Sequence, residues 1–176
     1  MYRLSLELAN SELRDGFGGV RDRLDDPGWR GRLLSRVGWQ DFPDAEARER
    51  AEALRRLIRR VVLTVARGET VSADDADAFN DCLRRSPLVT YVSRERGTLA
   101  VRRRPVADDW DAALAAFVRD FVDLLAETDP ARIKVCANAL CQWAFVDESR
   151  NRSRRWCHSS ACGNVERVRR HRARHA

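Results

Sequence analysis

Two short loops, Cys136-Ala137-Asn138-Ala139-Leu140-Cys141 and Cys157-His158-Ser159-Ser160-Ala161-Cys162, carry four of the five cysteines of this 176-residue chain. Their spacing, Cys-x4-Cys-x15-Cys-x4-Cys, lets two knuckles joined by a 15-residue excursion bring four thiolates around one tetrahedral ion. Zn2+ favours that geometry and soft sulfur donors, and four thiolates leave no coordination position open to a substrate. The pattern predicts one structural Zn2+ per chain held by Cys136, Cys141, Cys157 and Cys162, and it argues against an enzyme. Two other uses of these residues compete. Disulfides suit an oxidising compartment, whereas paired cysteines in a reducing cytosol are more often metal ligands. Cys157, Cys162, His171 and His175 could form a two-cysteine, two-histidine set, but that orphans Cys136 and Cys141; His158 is a poorer substitute ligand.

Charge is the next signal outward from the cysteines. Residues 131–176 hold eleven Lys/Arg against three acids, Asp147, Glu148 and Glu166, whereas residues 1–130 hold twenty-two bases and twenty-four acids. The whole excess of +6 therefore lies in the last quarter, the signature of a polyanion-binding tail on a near-neutral body. Codon bias toward arginine would explain why Lys134 is the only lysine, but not the local shortage of acids.

Nine arginines are the candidate nucleic-acid contacts. Arg150, Arg152, Arg154 and Arg155 lie on the excursion; Arg167, Arg169, Arg170, Arg172 and Arg174 lie on a helix expected after Gly163-Asn164. Arginine clamps phosphate bidentately and reads guanine edges in the major groove, which admits a helix of this kind. Solvated surface, or a pair between Asp147 and Arg150 or Arg154, is the competing role. The module reads as a short strand entering a tight knuckle over Ile133–Cys141, a second strand over Gln142–Val146, a turn from Asp147 to Asn151 and the basic helix. Asp147 and Ser149 should satisfy the turn backbone. So little apolar material, chiefly Trp143, Phe145 and Trp156, makes folding metal-dependent, with zinc contributing about 10–16 kcal/mol. Stacking on single-stranded bases is the alternative use of those aromatics.

The first 130 residues read as a mostly helical body. Residues 2–9 alternate Tyr2, Leu4, Leu6 and Leu8 against polar residues, which predicts a half-buried strand. Ser11 to Asp26, with Gly16, Gly18 and Gly19, should be turns or loop. Asp26-Pro27 starts a helix with Trp29, Leu33, Leu34 and Val37 inward and Gly38 as its stop. The strongest periodicity runs from Asp44 to Arg67, through Ala47, Ala51, Leu54, Ile58, Val61, Val62 and Val65. Ser72 and Asp75 form a capping box for a helix that buries Ala76, Phe79 and Leu83, with Cys82 a small buried thiol. Leu88–Val92 and Thr98–Val101 form a hairpin around Arg94–Gly97. Asp108 caps a helix carrying Trp110, Leu114, Phe117, Val118, Phe121, Leu124 and Leu125, and Asp129-Pro130 marks a domain boundary. The body has no histidine and no glycine-rich phosphate loop, and solvated helix faces are the expected place of its charges.

The run Cys136…Cys141-Gln142-Trp143-Ala144-Phe145-Val146-Asp147-Glu148-Ser149-Arg150-Asn151-Arg152-Ser153-Arg154-Arg155-Trp156-Cys157…Cys162-Gly163-Asn164 resembles the CGNR zinc finger family. The body, including Leu6-Glu7-Leu8-Ala9-Asn10, resembles the ABATE-type domain that precedes that finger, more loosely. The resemblance implies a bacterial, stress-induced transcription regulator. One departure is visible: Val165 stands where the family's Cys-Gly-Asn-Arg signature has arginine, and Arg167 or Arg169 could substitute for it.

The expected fold is α+β: a mainly α-helical N-terminal domain with a small β-hairpin (1–130), for sensing or dimerisation, and a small C-terminal four-cysteine zinc finger made of a β-hairpin and a basic helix (131–176), for nucleic-acid binding. The expected function is zinc-dependent DNA binding in transcription regulation, with a small-molecule effector on the N-terminal domain and a homodimer as further partners. No apolar run near 18 residues and no signal sequence is present, so a cytoplasmic protein is expected, with no membrane partner. RNA binding, or a protein–protein adaptor using the basic tail, is the alternative.

Overall fold

The computed structural model describes residues 3–14 and 19–174, and of Arg170 its backbone only. Expectations for Tyr2, Gly16, Gly18 and His175, and for the Arg170 side chain, lie outside the described residues.

The helices follow from caps and apolar spacing. A helix at Leu4–Ala9 (α1) is followed by Pro27–Ser35 (α2), Ala45–Ala66 (α3), Ala73–Arg85 (α4) and Trp110–Glu127 (α5). Asp26 accepts from the Gly28 and Trp29 N–H groups, Asp44 from Ala47, Ser72 from Asp75 and Asp109 from Ala112, each satisfying an orphan donor of the first turn. The last cap is Asp109 rather than Asp108. Gly38 and Gly68 take left-handed φ values of 87° and 71° just beyond α2 and α3, where an L side chain would be strained. Along α3 and α5 the apolar stripes meet: Ile58, Val61, Val62, Phe117, Val118, Phe121 and Leu124 are essentially inaccessible. Each contributes about 1.5–3 kcal/mol by leaving water. Trp110, buried beneath Trp39 and Phe42 in edge-on contacts, donates its indole N–H to the Ala47 carbonyl.

Four expectations for the body are corrected. Residues 4–9 are a helix, not a strand: Leu4, Ser5, Leu6, Leu8 and Ala9 are all buried, and a short helix covered on several sides shows no one-sided period. Ser5 is held there by its N–H and hydroxyl donating to Asp120 on α5. The segment read as loop contains an antiparallel pair, Glu12–Arg14 (β1) with Val20–Asp22 (β2), pinned by buried Arg55, whose guanidinium donates to Asp22 and to the Ser11 hydroxyl. Solvated faces therefore do not account for all the body's charges. On α4, Ala76 is exposed, and Asp75 is the buried neighbour of Phe79 through its ion pair with Arg60.

The expected hairpin is present and longer, Leu88–Glu95 (β3) with Thr98–Pro105 (β4), turning at Arg96 and Gly97. It is exposed along nearly its whole length: Val92, Leu99 and Val101 are 62%, 79% and 67% accessible. A short antiparallel pair, Ile133–Val135 (β5) with Ala144–Val146 (β6), and a terminal helix, Cys162–Arg174 (α6), complete the mostly helical chain and its cysteine-rich end. Ile133 and Ala144 are buried in the same apolar core as α3 and α5.

Candidate metal centre and basic helix

Each part of the cysteine cluster is placed by local backbone chemistry. Cys136 leaves β5 with its N–H bonded to the Trp143 carbonyl, and buried Asn138 closes the knuckle, its carbonyl accepting from the Cys141 and Gln142 N–H groups. Gln142 takes a left-handed φ of 53° to turn the chain into β6. The second pair is tied to the first by the Ala137 N–H donating to the Arg155 carbonyl, 2.8 Å. The result brings the four Sγ atoms of Cys136, Cys141, Cys157 and Cys162 within 4.8 Å of one another, with 3.6 Å between Cys141 and Cys157 and 3.7 Å between Cys157 and Cys162.

Those distances decide between disulfide and metal. A disulfide needs about 2.05 Å between sulfurs, whereas four sulfurs about 2.3 Å from one zinc sit about 3.8 Å apart. All four cysteines are free thiols, so the cluster fits one structural Zn2+. Hydrogen bonds from the Cys141 and Cys157 thiols hold Cys136 well below the ordinary thiol range, to about 2. The same sharing of protons with Cys136 pushes Cys141 up to about 12 and raises Cys157 as well. A metal would replace those shared protons, so zinc binding must release them. His171 lies exposed on α6 and is not part of this cluster.

A second, ionic centre holds the excursion. Asp147 is fully buried and its carboxylate accepts from Lys134 Nζ (2.6 Å) and from the Ser149 and Arg154 N–H groups (both 2.9 Å). Burial pushes this carboxyl up, but the bonds from Lys134, Ser149 and Arg154 outweigh it and hold it far below the usual carboxylate range. Lys134 also donates to the Arg152 and Arg154 carbonyls, and Arg132 to those of Asp147 and Ser149. The chain's only lysine is thus the compact ammonium about which the excursion folds. Asp147 and Ser149 sit in the turn expected of them, whereas the role of Lys134 was not expected; its isolation among arginines was the available signal.

The nine arginines separate by environment. Arg152, at a left-handed φ of 52°, pairs with Asp129 at 2.7 Å. Arg154 lies over the Phe145 ring and donates to the Trp156 and Cys157 carbonyls, so it braces the finger. Arg155 stacks over Trp156. Arg150, Arg167, Arg169, Arg172 and Arg174 are exposed. Trp143 and Trp156 pack on the cysteine cluster, as small-module folding requires. Val165, in the position of the family arginine, is half-buried at the root of α6, where its N–H bonds to the Ala161 carbonyl.

Two further residues join finger and body. Asn10, 3% exposed, donates its amide to the Ala144 carbonyl at 2.8 Å and accepts from the Ala144 N–H at 2.9 Å. Within the β5–β6 pair, Cys136 bonds to Trp143 and Asp147 to Arg132, so Ala144 points its backbone away from β5. Asn10 supplies the partner a third strand would give. On α3, Arg59 reaches the Gln142 carbonyl and side chain at 3.3 Å.

Residues 2–128 match the sequence profile of the ABATE family, described as "Putative stress-induced transcription regulator", and residues 132–175 match the CGNR zinc finger. The chain belongs to the ABATE family and ends in a CGNR finger. The ABATE match includes Asn10, and the finger match spans all four cysteines, Lys134 and Asp147. No curated protein matches the chain. Among the described residues no helix is long and apolar enough to cross a membrane.

Proposed function

We propose that this ABATE protein is a zinc-dependent, non-enzymatic, cytoplasmic DNA-binding transcription regulator whose α6 docks in the major groove of duplex DNA. The observation that carries this reading is the state of α6. It starts at a metal-site cysteine and bears exposed Arg167, Arg169, Arg172 and Arg174. Arg167 and Arg174 fall two turns apart on one stripe and Arg169 and Arg172 on another, so a helix lying in the groove would have cations toward base edges and toward a flanking phosphate wall. Zn2+ would be held by Cys136, Cys141, Cys157 and Cys162 and would fix where α6 begins; it supplies no open position for chemistry.

Arg150 and Arg155 are the excursion's candidates for phosphate. Arg152 and Arg154, engaged within the chain, serve DNA binding by shaping the finger. The body's part is to sense an effector and to bring a second copy alongside. The exposed faces of β3 and β4 favour self-association, because an isolated two-stranded hairpin is marginal in water and its free β3 edge can pair with the same edge of a second copy without opposing like charges. Fluorescence anisotropy with duplex DNA at two salt concentrations tests the reading. Six neutralised phosphates give a log–log salt slope of about −5. Salt-insensitive binding, or a preference for single-stranded RNA, would replace it.

A further inference from the structure

A cleft of about 970 Å3 lies at the seam between body and finger, bounded by α1, β1 and α2 on one side and by the Cys141 knuckle and β6 on the other. Its apolar surface comes from Leu6, Trp29 and Leu33 of the body and from Trp143 and Phe145 of the finger. Body and finger thus contribute aromatic rings to one space of the size that takes a small organic ligand.

The charged groups facing it are uneven. Arg23 is half-buried with its guanidinium 4.4 Å from the centre of the Trp29 ring, and no carboxylate hydrogen-bonds it among the described residues. Burial lowers its pKa, and neighbouring Arg32 lowers it further, with Glu7 and Asp26 opposing. Arg14 also lines the cleft; its Nε is buried without a hydrogen-bond partner among the described residues, although its outer nitrogen reaches Glu12. The acids on the lining are Glu7, already bonded to Arg36, and Glu148. Six arginines, Arg3, Arg14, Arg23, Arg32, Arg36 and Arg154, line the cleft against those two acids, and this excess of like charge at an apolar opening, with Arg23 partly stripped of water, is unfavourable until an anion joins it.

We propose that this cleft binds an amphiphilic organic carboxylate, its apolar body against Trp29, Trp143 and Phe145 and its carboxylate on Arg23 and Arg32. Because such a ligand touches both sides of the seam, its occupancy changes DNA affinity. This second half rests on the DNA-binding reading; carboxylate binding does not.

Calorimetry on the zinc-loaded full chain, with 2-naphthoate and octanoate as probes and 2-naphthylmethanol and octanol as neutral counterparts, tests the site. An acid should bind at least about tenfold tighter than its alcohol, the worth of one charge-assisted contact, and the double variant Arg23→Gln/Arg32→Gln should lose that preference with melting temperature and zinc content unchanged. The two acids distinguish an aromatic from an aliphatic body. No binding by either acid at millimolar concentration, equal binding of acid and alcohol, or full affinity in the double variant would overturn the proposal. DNA anisotropy with saturating probe then reads the coupling: a shift of about threefold or more supports it, and an unchanged affinity refutes it. If the chain binds no DNA at all, the functional reading fails and the calorimetric result still decides the site.

Discussion

Replacing Asn10 with leucine removes the clasp between body and finger while keeping side-chain size. The Asn10 amide makes two buried hydrogen bonds to one residue, and among the described residues Ala144 has no other backbone partner on that side. Leucine would leave a buried N–H and a buried C=O unpaired, at a cost of about 2–4 kcal/mol for the pair. For a chain of this size that corresponds to a fall in melting temperature of about 4–16 °C. The four thiols are untouched, so zinc content should stay at one per chain, measured on the same samples by metal analysis. Zinc-loaded wild type and Asn10→Leu compared by calorimetric melting give the answer. A fall below about 1 °C would refute the reasoning, because it would mean that β6 docks on the body without help from Asn10. Loss of zinc together with stability would show instead that the clasp builds the metal site.

Other outcomes follow from the same geometry. Lys134→Met should destabilise the finger by about 3 kcal/mol by leaving the Asp147 carboxylate buried beside carbonyls, and Lys134→Arg should not rescue it because a planar guanidinium cannot take the place of a compact ammonium; urea melts monitored by tryptophan fluorescence check both. The Asp147 carboxyl is depressed in the folded chain, so its stabilisation is complete above the ordinary carboxylate pKa of about 4 and fades only as pH falls toward its folded value. Between pH 7 and 5 the Asp147 carboxylate stays ionised, so any loss of finger stability over that range should track zinc release by protonation of the thiolates, read by a chelating dye beside the melting temperature of the zinc-loaded protein. Val92→Asp with Leu99→Asp on the exposed hairpin should change stability by less than about 0.5 kcal/mol while abolishing self-association in sedimentation runs.

The four cysteines, the caps at Asp26 and Ser72, and the stripes of α3 and α5 were legible in the sequence because each rests on fixed spacing between neighbours in the chain. What stayed hidden depends on contacts between distant residues. Leu4–Ala9 imitates a strand because its burial comes from several sides. Nothing local marks Asn10 as the partner of Ala144, 134 positions away, or Arg55 as the anchor of β1 and β2. Arginine content alone could not separate Arg152 and Arg154, exposed but bonded within the chain, from the arginines of α6.

Anisotropy of labelled duplex DNA titrated with zinc-loaded protein, with chelated protein and with Cys136→Ser tests the central claim. Zinc-loaded protein should bind with an affinity that falls steeply with salt, and both metal-free forms should lose at least about tenfold. Equal binding by all three would contradict a zinc-built, DNA-docking helix.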